Sequence, residues 1–443
     1  MGWFVVCASA FVLSTVVRAQ NDFGPREGDA GAGGELAGLS VKEGKFFDAG
    51  ADAFADVASV TGSIAGTEAG LGPRFNSTSC VSCHSHPAMG GSSPATNPQV
   101  TVGPTAQVAL LTGLGIISPN GPVREVRFTT DGGVHDLFTI VGRPDTPAGC
   151  TTLQQPDFAA ATQAGIVRFR IPTPTFGLGL IEAIPDGTIA ANATKTKRFG
   201  VKGTVNRNGN DGTVTRFGWK AQNKSLVIFA GEAYNVEQGI TNEMFPDERG
   251  ESGVADVDPC RTIMPSPQDY VQYDETQPQS IIDDISNFAD FMRFLAAPVQ
   301  AKSYGSVTTA QITAGEEAFN KAGCNECHMK QMTTGTHTTP ALSNKVVPLF
   351  SDLLVHDVGT GDGIQQGLAD GNQFRTAPLW GVGQRLFFMH DGRATNLVDA
   401  ISAHGGEAAR VINNFKGEST GGDAGANLTA TERQNLVDFL RSL

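Results

Sequence analysis

The sequence predicts a mainly α fold made of two related domains, the first enlarged by a β-hairpin-rich elaboration and by long glycine-rich loops. Three observations predict it. The pattern Cys-x-x-Cys-His occurs twice, at 80–84 and at 324–328. The same frame, Phe-Asn-x-x-x, precedes each copy, starting at Phe75 and at Phe319. Between the copies, apolar and polar residues alternate around Gly-containing turns, whereas apolar residues elsewhere recur at helical spacing.

Taken in order, the first 19 residues, "MGWFVVCASAFVLSTVVRA", form a short apolar run that ends in a small residue, so they read as a secretory signal cleaved after Ala19. The run is short for a membrane span, and no other segment looks like one. Residues 20–40 are expected to be a flexible N-terminal segment. The first domain is expected over 41–300, with a β-rich insert at about 120–260. Within the insert, "PVREVRFTTDGGVHDLFTIVGR" reads as a hairpin turning on Asp-Gly-Gly, and "RFGVKGTVNRNGNDGTVTRFGWKA" as another around Asn-Gly and Asp-Gly. "PQSIIDDISNFADFMRFLAAP" has helical periodicity. The second domain is expected over 301–443. Its helix "TAQITAGEEAFNKAGC" leads into the second motif, and its last helix is capped by Thr429 with Glu432 three residues on. A second repeat supports duplication: "FRIPTPTFGLGLIEAIPDG" (169–187) parallels "FRTAPLWGVGQRLFFMHDG" (374–392).

Composition bounds the function. A chain of 443 residues suggests two or three domains. With 54 glycines, 17% charged and 40% hydrophobic residues, it is loop-rich but able to build a core. A formal net charge of −13 excludes nucleic acid as a natural partner and suits a small cationic redox protein.

The repeated motif carries the chemistry. Two cysteines three apart can each form a thioether to a haem vinyl group, and the next histidine then lies under the iron. Zinc needs further ligands and no histidine directly after the pair; a thioredoxin-like dithiol needs neither that histidine nor a second copy. The motifs therefore predict two covalently bound haem c groups, held by Cys80, Cys83 and His84 and by Cys324, Cys327 and His328, in two cytochrome c-like haem domains. Cys150 and Cys260 are left over. An oxidising compartment would join them; two separate buried thiols are the alternative.

"GLGPRFNSTSCVSCHSHPAMGG", "PTPTFGLGLIEAIPD", "FSDLLVHDVG", "FRTAPLWGVG" and "FMHDGRATNLVDAISAHGGEA" resemble the di-haem oxidoreductase family described as peroxidases or thiol oxidoreductases, from about residue 40 to the end. That family is distantly related to bacterial di-haem cytochrome c peroxidases and to the di-haem enzyme that matures tryptophan tryptophylquinone. The resemblance implies one haem that relays electrons, one that reacts, a small-molecule oxidant such as peroxide, and an exported, periplasmic location. A structural calcium occurs in the relatives and leaves no trace in the sequence. An electron-transfer cytochrome without its own catalysis, or oxidation of thiols or sulfur compounds, are the competing readings.

The opposite axial ligand decides what each haem does. In the peroxidase relatives it lies downstream of a His-Asp-Gly or similar phrase, and here His404 stands fourteen residues after His390. His404 is therefore the expected second ligand of the C-terminal haem, with Met389 as the alternative. His356, beside Asp357, and His390 are expected to support it. Arg375 and Arg393 could pair with haem propionates. For the N-terminal haem an open or weakly held distal side is expected, facing the loop at 172–187, with Glu182 as the acid/base that moves the peroxide protons. Trp380 could lie between the haems or simply fill a core.

Overall fold

The computed structural model describes residues 21–250, 260, 267–270 and 283–443. The expected signal at 1–19 lies outside them. No described helix is long and apolar enough to cross a membrane. The architecture is helical with small sheets. Its principal helices are α1 (Val41–Ala55), α2 (Leu226–Gln238), α3 (Asp284–Phe294), α4 (Thr309–Ala322), α5 (Leu397–Ser402) and α6 (Ala430–Ser442). Local sequence starts them. Ser40 with Glu43, Thr308 with Gln311 and Thr429 with Glu432 form capping boxes, each satisfying two otherwise orphaned groups at a helix start.

The duplication appears as two helix crossings of the same kind. In the first half α1 lies on α3; in the second α4 lies on α6. Each crossing turns on a glycine. A Cβ at Gly50 would stand 2.3 Å from the Asn287 carbonyl oxygen, and one at Gly315 1.9 Å from that of Asn435, so only glycine permits either approach. Four residues on from each glycine is a phenylalanine, Phe54 or Phe319, that packs on Phe291 of α3 or Phe439 of α6. Those two rings also meet the motif histidines, Phe54 against His84 and Phe319 against His328. The repeated loop phrase follows the same rule: Gly179 packs on the backbone of Arg293 and Gly383 on that of Arg441, near the ends of α3 and α6.

The β structure is short: β1 (Arg74–Phe75), β2 (Glu125–Phe128), β3 (Val134–His135), β4 (Phe138–Thr139), β5 (Val167–Arg170), β6 (Val355–Asp357) and β7 (Gln373–Arg375). β2 pairs antiparallel with β3 across the Asp131–Gly133 turn and with β5 on its other edge. β1 pairs with β4, and β6 with β7. The second expected hairpin contributes a bridge between Arg207 and Val214; its following residues, Gly218 to Gln222, pass between the two halves.

Three large apolar clusters organise the interior of the described residues, beside a small one of Ala221, Val355 and Ala369. One is the β-rich core of Phe75, Leu111, Phe128, Phe138 and Phe158, which Cys150 and Cys260 join as a disulfide. One belongs to the second half, around Phe319, Phe350, Phe415 and Phe439. The third contains Phe47, Phe176 and Phe291 but also Met332, Leu342, Leu349 and Trp380. The expected boundary at 300/301 therefore runs through a shared core. The segment after residue 20, expected to be flexible, is tied down. Asp22 pairs with Arg441 at 2.6 Å with both side chains 3% exposed, the Arg26 N–H donates to Gly383, and the Leu36 N–H donates to Phe294. The segment thus straps α6 to the end of α3.

Candidate haem sites

Two cavities hold the two motifs. The first is lined by Cys80, Cys83 and His84, with α2 as one wall; the second by Cys324, Cys327 and His328, with α5, α6 and β7 around it. Counting their open mouths they enclose about 1180 and 1280 Å³, room for a flat cofactor of haem size. The cysteines are partly buried and free. Burial pushes the Cys80 and Cys324 thiols up to about 12 and the Cys83 thiol to about 11. Such thiols are poor thiolate ligands or redox nucleophiles, and their pairing with an adjacent histidine suits thioether anchoring.

Three histidines share one arrangement. Nδ1 of His84 donates to the Gly91 carbonyl at 2.9 Å, that of His328 to Phe350 at 3.0 Å, and that of His404 to Ala400 at 2.8 Å. A carbonyl can only accept, so each Nδ1 carries the proton and each Nε2 keeps a free lone pair. This is how metal-binding imidazoles are oriented. Burial lowers the pKa of all three, that of His328 to about 4 with His404 adding to the effect, so the rings are neutral. The structure thus brings His404 into the second cavity with His328. Met389 lines the same cavity, its backbone at φ +65°.

Unpaired buried polar atoms show what else the second cavity must hold. Among the described residues, Arg375 Nη1, Arg385 Nε and Nη2, and Thr360 Oγ1 are buried without a hydrogen-bond partner, and all three residues line it. Burial lowers both guanidinium groups to about 10. Two buried guanidinium groups with spare donors call for anions, and a haem brings two propionates. The first cavity offers the same feature on a smaller scale, the unpaired Nε of Arg124. The residues present therefore fit two haems.

Several expected residues sit elsewhere. Glu182 lines neither cavity. Its Oε1 accepts the Leu226 N–H at the start of α2, and its Oε2 pairs with Arg293 at 2.9 Å, so its carboxylate is engaged in joining three helices. Arg393 turns to Asp391 and is 44% exposed. Trp380 packs over Gly177 in the shared core. Three further histidines also lie outside both cavities: His135 bonds Asp131, His86 meets the Gln384 carbonyl at 2.7 Å, and His337 accepts the Thr339 N–H. His356 does line the second cavity, but its carboxylates are Asp352 and Glu407, each at 3.0 Å, not the adjacent Asp357. His390 stacks on Phe374 there, 4.0 Å between ring centres.

In their place the structure supplies residues that the sequence reading passed over. Trp219, half-buried, lines both cavities; its Nε1 donates to Ile171 at 2.8 Å, and the Arg385 guanidinium lies 5.9 Å from its ring centre. Glu237 on α2 faces the first cavity, where burial, with Glu125 and Asp136 nearby, raises its carboxyl to about 8. The nearest signal for Trp219 was an indole in a glycine-rich turn; Glu237 gave none.

The model of the family described as "Di-haem oxidoreductase, putative peroxidase" matches residues 148–443. The chain belongs to this family. No curated protein matches it. Among solved structures, it is similar to a MauG-like protein associated with microbial copper homeostasis, at 18% identity over 61% of this chain and 89% of that one, with a TM-score of 0.29. It is also similar to a hydrazine synthase chain of Kuenenia stuttgartiensis, at 21% identity over 38% of this chain, with a TM-score of 0.24; this match spans 60% of that chain. The family's description implies haem as a cofactor.

Proposed function

We propose that this family member is an exported di-haem c-type cytochrome oxidoreductase, peroxidase-like, with an electron-relay haem in the second cavity and a reactive haem in the first. The observation that carries the reading is the asymmetry of the cavities. Of the four histidines that line the second, His328 and His404 each have Nδ1 fixed by a backbone carbonyl, which leaves Nε2 as the acceptor nitrogen. In the first, His84 is the only lining histidine among the described residues, and the α2 wall presents Ala230 and Ala233 beside Phe229, Tyr234 and the carboxyls of Glu232 and Glu237. Bound there, held by Cys80, Cys83 and His84 and by Cys324, Cys327 and His328, the haems would supply one-electron redox chemistry and, in the first cavity, reactivity toward peroxide.

The chain's own residues set the rest. Alanine side chains on α2 leave room for a small oxidant. Glu237 takes a proton from one peroxide oxygen and returns it to the other, and reduction to two waters consumes two electrons and two protons in all. Trp219, shared by both cavities, gives the electrons a short aromatic passage. The Cys150–Cys260 disulfide agrees with an oxidising, exported compartment, as does the segment at 1–19. A small redox protein is the proposed electron donor.

The test is peroxide-dependent oxidation of a reduced artificial donor by the loaded protein. Glu237→Gln is expected to slow turnover by roughly 10²–10⁴-fold with both haems retained, whereas Glu182→Gln is expected to lower stability and leave the pH profile in place. If Glu237→Gln turns over normally, the assignment of the acid/base fails.

A further inference from the structure

His356 lies 1% exposed in the wall of the second cavity. Both of its ring nitrogens face carboxylates: Nε2 is 3.0 Å from Asp352 Oδ2, and Nδ1 is 3.0 Å from Glu407 Oε2. The same Nδ1 is 3.6 Å from the Cys327 sulfur. A carboxylate accepts and does not donate, so two such contacts require a proton on each nitrogen, and the ring is an imidazolium. Its carboxylates are held in turn. Lys197 Nζ pairs with Asp352 at 2.5 Å, and the N–H groups of Lys202 and Gly203 donate to Glu407 at 2.8 and 3.0 Å. Lys197, Lys202 and Gly203 come from the first half of the chain, so both halves build the cluster. None of these groups is used in the reaction outlined above.

We propose that His356 is a positioning residue that holds a fixed positive charge beside the Cys327 thioether edge of the C-terminal haem and raises that haem's reduction potential. This rests on the reading of Cys324, Cys327 and His328 as a haem anchor with His404 opposite. Burial works against the charge, but the carboxylates of Asp352 and Glu407, one at each ring nitrogen, hold the proton on the ring. A cation near the iron disfavours the ferric state, which carries the extra positive charge, and favours the ferrous one; in a dry site the effect is not screened as it is in water. Glu407, 20% exposed and at the same Nδ1 that approaches the Cys327 sulfur, acts with the opposite sign.

The experiment is a spectroscopic redox titration of the purified, haem-loaded full chain and of two variants, His356→Gln and Glu407→Gln. The low-spin ferric spectrum of the C-terminal haem is recorded first. If it is already absent in the unmodified protein, the ligand reading has failed, independently of this inference. With that spectrum present, His356→Gln is expected to lower the potential of this haem and Glu407→Gln to raise it, while the other haem is unmoved. A merely structural role would shift both variants in the same direction. Equal signs, or no shift in His356→Gln, would overturn the proposal.

Discussion

At the scale of single residues, orientation and charge separate the two cavities. His84, His328 and His404 are fixed through Nδ1 and neutral, the orientation in which an imidazole can bind a metal through Nε2. Glu237 is the one cavity carboxyl whose pKa is raised to about 8. A group with a raised carboxyl pKa is protonated below that value and ionised above it. Since its first act is to accept a proton, the peroxide rate is expected to rise with pH through about 8, and this limb should vanish in Glu237→Gln. Trp219→Phe is expected to slow electron equilibration between the haems by an order of magnitude or so while leaving both haem spectra in place, measured by following one haem after rapid reduction of the other. Equal kinetics in that variant would remove Trp219 from the path.

At the scale of elements, the two crossings α1–α3 and α4–α6 explain why each motif histidine ends up buried under a phenylalanine. Gly315→Ala puts a methyl group into the Asn435 backbone and is expected to cost about 1–3 kcal/mol, seen as a lowered Tm; an unchanged Tm would mean that the crossing is looser than it looks. Much of this was legible in the sequence. Capping boxes, helical periodicity and the repeated frames from Phe75 and Phe319 are local signals. So is the Cys-x-x-Cys-His motif, because all of its residues fall within five positions. That His404 reaches the second cavity was legible through a phrase shared with relatives. What was not legible is what depends on distant segments meeting. Trp219, in a turn, and Glu237, on α2, stand more than a hundred residues from the motifs they face, and Arg385 about sixty from its own. Glu182 looked reactive in its apolar phrase because the sequence did not reveal Arg293 or the start of α2 beside it.

At the scale of the whole molecule, the halves are not independent beads. The shared core around Phe176, Trp380 and Leu349 crosses residue 300, and the strap from Asp22 to Leu36 binds the two halves again. The Asp22–Arg441 pair is buried on both sides, so Asp22→Ala leaves Arg441 uncompensated and is expected to cost about 3–5 kcal/mol, read as earlier thermal unfolding of the full chain. A variant that unfolds as the parent does would show that the strap contributes little.

The central claim is that the two haems differ, one closed by two histidines and one accessible. The most direct measurement is the ferric spectrum of the loaded protein, and of its half-reduced form, before and after cyanide or peroxide. One low-spin haem that ignores both ligands, lost in His404→Ala, beside one that shifts on adding them, is the expected result. Two fully low-spin haems unmoved by either ligand, in both the resting and the half-reduced protein, would contradict it.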